Sequence, residues 1–117
     1  ADGLIIATPT GSTAYSLSVG GPILTPDSAN FVITPLAPHN LTVRPLVVPD
    51  NYEIKLKVEG RGSHFLTSLD FRSVPVELTT EIRVKKADFK VKTLQLNDQT
   101  FFSTLRSKLM WGIDRRN

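Results

Sequence analysis

Apolar and polar positions follow three rhythms along the chain. Leu4-Ile5-Ile6-Ala7 is a short apolar run of strand type, and Pro9 and Gly11 punctuate the turn behind it. Ser12 or Thr13 can cap a helix that Ala14-Tyr15-Ser16-Leu17 continues, and Gly20-Gly21-Pro22 stops that helix. Pro22, Pro26, Pro35, Pro38, Pro45 and Pro49 then cut the chain into short extended pieces such as Phe31-Val32-Ile33 and Val43-Arg44, and no long helix fits between them.

From residue 50 the period becomes two. Tyr52, Ile54, Leu56 and Val58 alternate with Glu53, Lys55, Lys57 and Glu59, which predicts a strand with one dry face ended by a hairpin loop at Gly60-Arg61-Gly62. Phe65–Leu69, Val74–Leu78, Glu81–Lys86 and Phe89–Leu96 continue in the same style, the rhythm of an antiparallel sandwich or barrel. Only the last segment is helical. Phe101, Leu105 and Leu109 recur at intervals of four with Phe102 beside them, Thr100 can cap the start, and Trp111-Gly112 ends the helix, with Trp111 reading as a packing anchor rather than a ligand stacker. The expected fold is mainly β: an antiparallel β-sandwich-like single domain over residues 1–117, with a short helix after the first strand and a C-terminal helix.

Composition narrows the function classes. A 117-residue chain with 40% hydrophobic and 21% charged residues reads as one ordinary globular domain, and the absence of cysteine excludes disulfides, thiolate nucleophiles and thiolate metal sites. No apolar run approaches the roughly 20 residues of a membrane helix, so a soluble, unexported, cytoplasmic protein is expected, without membrane contact. Because Ala1-Asp2-Gly3-Leu4 opens directly on a turn and a strand, the chain also reads as a piece of a longer protein. Residues 1–43 hold Asp2 and Asp27 with no Lys or Arg, while residues 44–117 carry a formal +5. Lys85, Lys86, Lys90 and Lys92 interleave with Val84, Phe89 and Val91, a pattern of solvated faces and guarded sheet edges rather than of a nucleic-acid site.

The chemistry concentrates in the first turn. Thr8, Thr10, Ser12, Thr13 and Ser16 crowd one strand-to-helix corner, and the first N–H groups of a helix favour acceptor atoms on a ligand. The corner suits sugar and amide groups. It is not a Walker A loop, since no lysine or arginine precedes Arg44. A capped turn without a ligand is the competing reading of the same residues. No His and carboxylate spacing defines a metal site.

A longer ordered series of motifs is recognisable. Asp2-Gly3-Leu4, the run Thr8-Pro9-Thr10-Gly11-Ser12-Thr13-Ala14-Tyr15-Ser16-Leu17-Ser18, Gly20-Gly21-Pro22, Pro35-Leu36-Ala37-Pro38-His39, Arg44-Pro45-Leu46-Val47-Val48-Pro49, Ser68-Leu69-Asp70 and Leu109-Met110-Trp111-Gly112 together resemble the C-terminal domain of the NAD kinase family. Such enzymes phosphorylate the 2′-hydroxyl of the adenosine ribose of NAD to form NADP, with ATP or polyphosphate as donor and a divalent metal such as Mg. The family's N-terminal α/β domain carries a Gly-Gly-Asp-Gly motif with the catalytic aspartate and an Asn-acidic pair. Neither occurs here, where Gly20-Gly21 precedes Pro22 and Asn51 precedes Tyr52, so no catalytic residue is expected in this chain.

What the resemblance implies is the NAD-binding half of an enzyme. Asp2 matches the family's ligand-binding aspartate, Thr13, Ala14, Tyr15, Ser16, Leu17 and Ser18 match the stretch lining the dinucleotide pocket, and Ala37 matches a position that approaches the nucleotide. Implied partners are NAD, ATP, the chain's own N-terminal domain and further copies in a homodimer or homotetramer. Two alternatives stand beside it: an inactive binding or oligomerisation module, and the C-terminal domain of a related lipid or sugar kinase. Arg72 is an additional contact candidate; Asp70 reads first as a turn former, His39 as a loop-ordering residue and His64 as solvent-exposed.

Overall fold

The computed structural model describes residues 2–92, 94 and 100–110. These form two compact units, residues 50–87 and the remainder. In the larger unit β1 (Gly3–Ala7), β2 (Asn30–Leu36) and β3 (Leu46–Pro49) make an antiparallel sheet in the order β1-β2-β3. Ala7 lies opposite Val32, Ile5 opposite Thr34, and Val32 opposite Val47, so these residues share one face of the sheet. Val32 and Thr34 are fully buried there, and Phe31 is buried from the opposite face.

Between β1 and β2 lie a 3₁₀ turn, Thr10–Thr13, and a one-turn helix α1, Tyr15–Ser18. The helix α2 (Phe101–Lys108) carries the expected cap: Thr100 Oγ1 accepts from the Ser103 N–H at 3.1 Å and Ser103 Oγ accepts from the Thr100 N–H at 3.0 Å. Of its predicted apolar face, Leu105 is buried, Phe101 half-buried and Leu109 exposed. Trp111 lies outside the described residues.

The smaller unit is two ribbons. β4 (Ile54–Leu56) pairs with β7 (Ile82–Val84), and β5 (His64–Leu69) pairs with β6 (Arg72–Glu77). The mainly β, antiparallel class and both helices are thus as the sequence predicts. Several boundaries differ. The alternation of residues 52–59 yields only a three-residue strand, because its partner β7 is equally short and a strand ends where its ladder ends.

Gly60-Arg61-Gly62 is not a hairpin loop, since the strands flanking it do not pair with each other. The hairpin turn is Asp70-Phe71, with Asp70 at φ 54°, a left-handed conformation that Asp adopts more readily than most residues. Its turn-forming role is therefore observed. Val43-Arg44 is extended in sequence pattern only, the strand beginning at Leu46 after Pro45. Residues 89–92 and 94 form no strand, and the rest of Phe89–Leu96 lies outside the described residues.

Candidate functional site

The signature run begins where β1 ends, at buried Ala7. Pro9 opens the 3₁₀ turn, and neither it nor α1 has a side-chain cap, which corrects the expectation that Ser12 or Thr13 caps the helix. The Ser12 hydroxyl is instead fully buried; it donates to the Pro9 carbonyl at 2.6 Å and accepts from the Leu24 N–H at 3.0 Å, tying the turn to the chain that leaves it. Ala14, at φ −98° and ψ −128°, breaks the turn from α1.

Several backbone donors around the start of α1 are already taken. The N–H of Ala14 bonds the Gly11 carbonyl, and those of Leu17 and Ser18 both reach the Ala14 carbonyl. Of the crowded hydroxyls, Ser12 and Ser16 are consumed by the fold and Thr8 accepts from the Gly11 N–H at 3.2 Å. The corner is thus less a ring of free hydroxyls than a folded support. What it presents is Ala14, Tyr15 and Ser18, all exposed, with Tyr15 at 63%. Thr13 and Leu17 are half-buried.

Ser16 points inward. Its hydroxyl, 1% exposed, meets the Thr34 hydroxyl on β2 at 2.9 Å, and the Ser16 carbonyl accepts from the Gly21 N–H at 2.8 Å. This bond folds α1 back over the β1–β2 face. Thr34 is three residues from Ala37, roughly 10 Å along an extended strand. Asp2 stands at the same end of the ladder, its N–H donating to the Leu36 carbonyl at 2.9 Å, and its side chain is exposed. Ala37 itself is exposed with φ 44°, a left-handed conformation uncommon for alanine and of the kind that clusters at ligand sites. Asp2 and Ala37 thus stand at one end of the β1–β2 ladder, while Ser16 ties α1 to its middle, at Thr34 opposite Ile5.

Two further features were not legible in sequence. Thr34 carries no motif beyond a hydroxyl between Val32 and Leu36 on the same face of β2. Lys108 of α2 lines a cavity of about 120 Å³ together with Thr13, Thr104, Phe101, Leu105 and Leu109, which places a cation beside a segment that has none of its own. Two further candidates belong to the smaller unit. Arg72 opens β6 with its guanidinium 5.6 Å from the Phe71 ring centroid, and His64 is exposed, its Nδ1 2.7 Å from the Ser63 hydroxyl.

Comparison with known proteins bears on this arrangement. Residues 1–96 match the family model described as the ATP-NAD kinase C-terminal domain. The chain is 59% identical over 117 residues to the NAD kinase of Flavobacterium johnsoniae and 54% identical over 116 residues to that of Bacteroides fragilis, covering 100% and 99% of this chain and 40% of each relative. It spans about two fifths of the curated relatives it matches. Among solved structures, yeast NADH kinase complexed with NADH superposes with a TM-score of 0.75 at 29% identity, over 97% of this chain and 36% of that one. With residues 1–96 of its 117 matching that model, the chain that carries this signature turn and antiparallel sheet belongs to the ATP-NAD kinase C-terminal domain family.

Proposed function

We propose that this chain is the nucleotide-binding and assembly domain of an NAD kinase, a longer enzyme that transfers phosphate from ATP to the 2′-hydroxyl of the adenosine ribose of NAD. The observation that carries the reading is the tie of α1 to the sheet through Ser16 and Thr34, which leaves Tyr15 and Ser18 exposed, with Asp2 and Ala37 exposed at the end of the same ladder, in a chain whose relatives are NAD kinases. In that role the Tyr15 ring offers a stacking face, the Ser18 hydroxyl and Asp2 carboxylate offer hydrogen bonds, and the left-handed Ala37 allows close backbone approach. Phosphoryl transfer depends largely on holding acceptor and donor in line, so positioning by this domain contributes directly to the rate.

Among the described residues no three His, Asp or Glu side chains converge on a metal position. We assign the ion, the catalytic base and the ATP phosphates to the remainder of the longer enzyme, which acts in the cytoplasm; no described helix is long and apolar enough to cross a membrane. Assembly into homo-oligomers is supported by the β5–β6 hairpin, where Leu66, Leu69 and Phe71 are 68%, 65% and 88% exposed. Leu69→Glu with Phe71→Glu in the full-length protein is expected to shift the oligomer to smaller species by analytical ultracentrifugation, with an unchanged distribution counting against assembly through this hairpin.

Calorimetric titration of the full-length protein with NAD, NADP and ATP tests the nucleotide site. Saturable NAD binding that Tyr15→Ala and Asp2→Ala each weaken by about tenfold, the loss of ~1.4 kcal/mol expected for one stacking or charged hydrogen-bond contact, is the expected result. Folded protein that binds no nucleotide, or binds it equally well after both substitutions, overturns the reading.

A further inference from the structure

We propose that Thr34 is a positioning residue for the nucleotide site, acting through a buried hydroxyl latch with Ser16 that fixes where α1 presents Tyr15 and Ser18. The inference rests on the nucleotide-binding role argued above. It also reassigns Ser16 from a ligand contact to a structural partner of one.

A four-residue helix has almost no stability of its own, because the nucleation cost is not recovered by one or two hydrogen bonds, and α1 lacks a side-chain cap that would offset it. Its place must therefore be set by tertiary ties. Two of them meet at Ser16: the hydroxyl bond to Thr34 at 2.9 Å and the bond from the Gly21 N–H to the Ser16 carbonyl at 2.8 Å. The first is the tie that reaches the sheet. Both hydroxyls are sealed from solvent, at 1% and 0% exposure, so water cannot substitute for either partner and the bond is strongly directional.

Thr34 itself cannot touch a ligand, yet it belongs to the strand that ends at Leu36 immediately before the left-handed Ala37. One side chain thus couples the helix carrying Tyr15 to the strand carrying Ala37. If the two halves of the site must keep a fixed separation to hold one dinucleotide, that separation is set here.

The test uses the full-length protein with Thr34→Val, Thr34→Ser and the double variant Ser16→Ala with Thr34→Val. Thr34→Val is expected to raise KM for NAD about tenfold while kcat stays within about twofold, and to speed hydrogen–deuterium exchange at the amides of residues 15–18 in the absence of ligand. Thr34→Ser, which keeps the hydroxyl, is expected to restore both. The double variant removes both polar groups, which is nearly neutral for stability; it is expected to retain the melting temperature yet keep the raised KM. A purely structural hydroxyl pair gives a different pattern, in which the double variant recovers KM along with stability, or in which exchange at residues 15–18 does not change; either overturns the proposal. The exchange readout needs no nucleotide, so absence of NAD binding by the wild-type protein would count against the functional reading while the latch itself is still measured.

Discussion

Alanine in place of Gly21 is expected to destabilise the protein by about 1–3 kcal/mol and to loosen the nucleotide site, while the same change at Gly20 acts by a different route. At Gly21 the obstacle is space. A Cβ there would contact the Ser16 hydroxyl and would lie 2.7 Å from the Ser16 carbonyl oxygen and 3.0 Å from Thr34 Oγ1. Two of those atoms form the hydroxyl pair and the third accepts the Gly21 N–H, so none can move without breaking a buried bond. At Gly20 nothing lies within 4 Å, but φ is +92°, which disfavours any L side chain and costs about 1–2 kcal/mol. The two substitutions therefore separate in their readouts. Gly21→Ala should lower the melting temperature and accelerate exchange at residues 15–18 and at Thr34 together; Gly20→Ala should lower the melting temperature with the Ser16–Thr34 pair intact, and Gly20→Asn, which tolerates the left-handed region better, should recover part of the loss. Equal exchange profiles for the two alanine variants would contradict this division.

The contrast shows which parts of the site were readable in the amino-acid sequence. Strand, Pro/Gly turn and one-turn helix are punctuated by residues whose backbone preferences are local, and so β1, the turn and the stop at Gly20-Gly21 fall where the sequence puts them. Side-chain direction in a single helical turn is another matter. Four residues contain no full amphipathic period, so nothing local says that Ser16 faces the sheet while Ser18 faces water. Its partner Thr34 stands 18 residues away, and the pairing that joins them is a tertiary event.

The same distinction governs the smaller unit. Alternation marks residues 52–59 as strand-like, but a strand's length and partner depend on what lies beside it, and the ladder with β7 spans three residues on either side of the nested β5–β6 hairpin. Asp70 was readable as the hairpin turn because its chemistry is local; the long-range pairing of Ile54 with Val84 was not. Thr100 was likewise readable as a cap, its bonding partner being only three residues on.

A carboxylate at position 32 is expected to have the largest effect of any single change in the described chain. Val32 is 0% exposed on the central strand of the sheet, opposite Ala7 on one side and Val47 on the other, and its face is the one that α1 covers through Thr34. Val32→Asp would bury an ionisable group opposite Ala7 and Val47, a cost of several kcal/mol and of the order of a domain's whole stability. The expected result at neutral pH is loss of cooperative unfolding by circular dichroism and of nucleotide binding. The pH dependence has a definite sign. Burial raises the folded-state pKa of the introduced carboxyl above its unfolded value, so between the two values the folded state binds more protons and stability rises as pH falls. The destabilisation is therefore full above the folded-state pKa and shrinks on acidification toward the cost of a neutral buried carboxyl. Val32→Ala, which removes volume without charge, should instead cost about 1.5–3 kcal/mol with no such dependence. Because the signature turn departs from Ala7, directly across from Val32, the milder variant should also raise exchange at the start of that turn before the sheet as a whole opens. A Val32→Asp protein that melts like the wild type at neutral pH would mean that this position is open to water, and that the sheet face supporting the nucleotide site is not the dry surface its burial indicates.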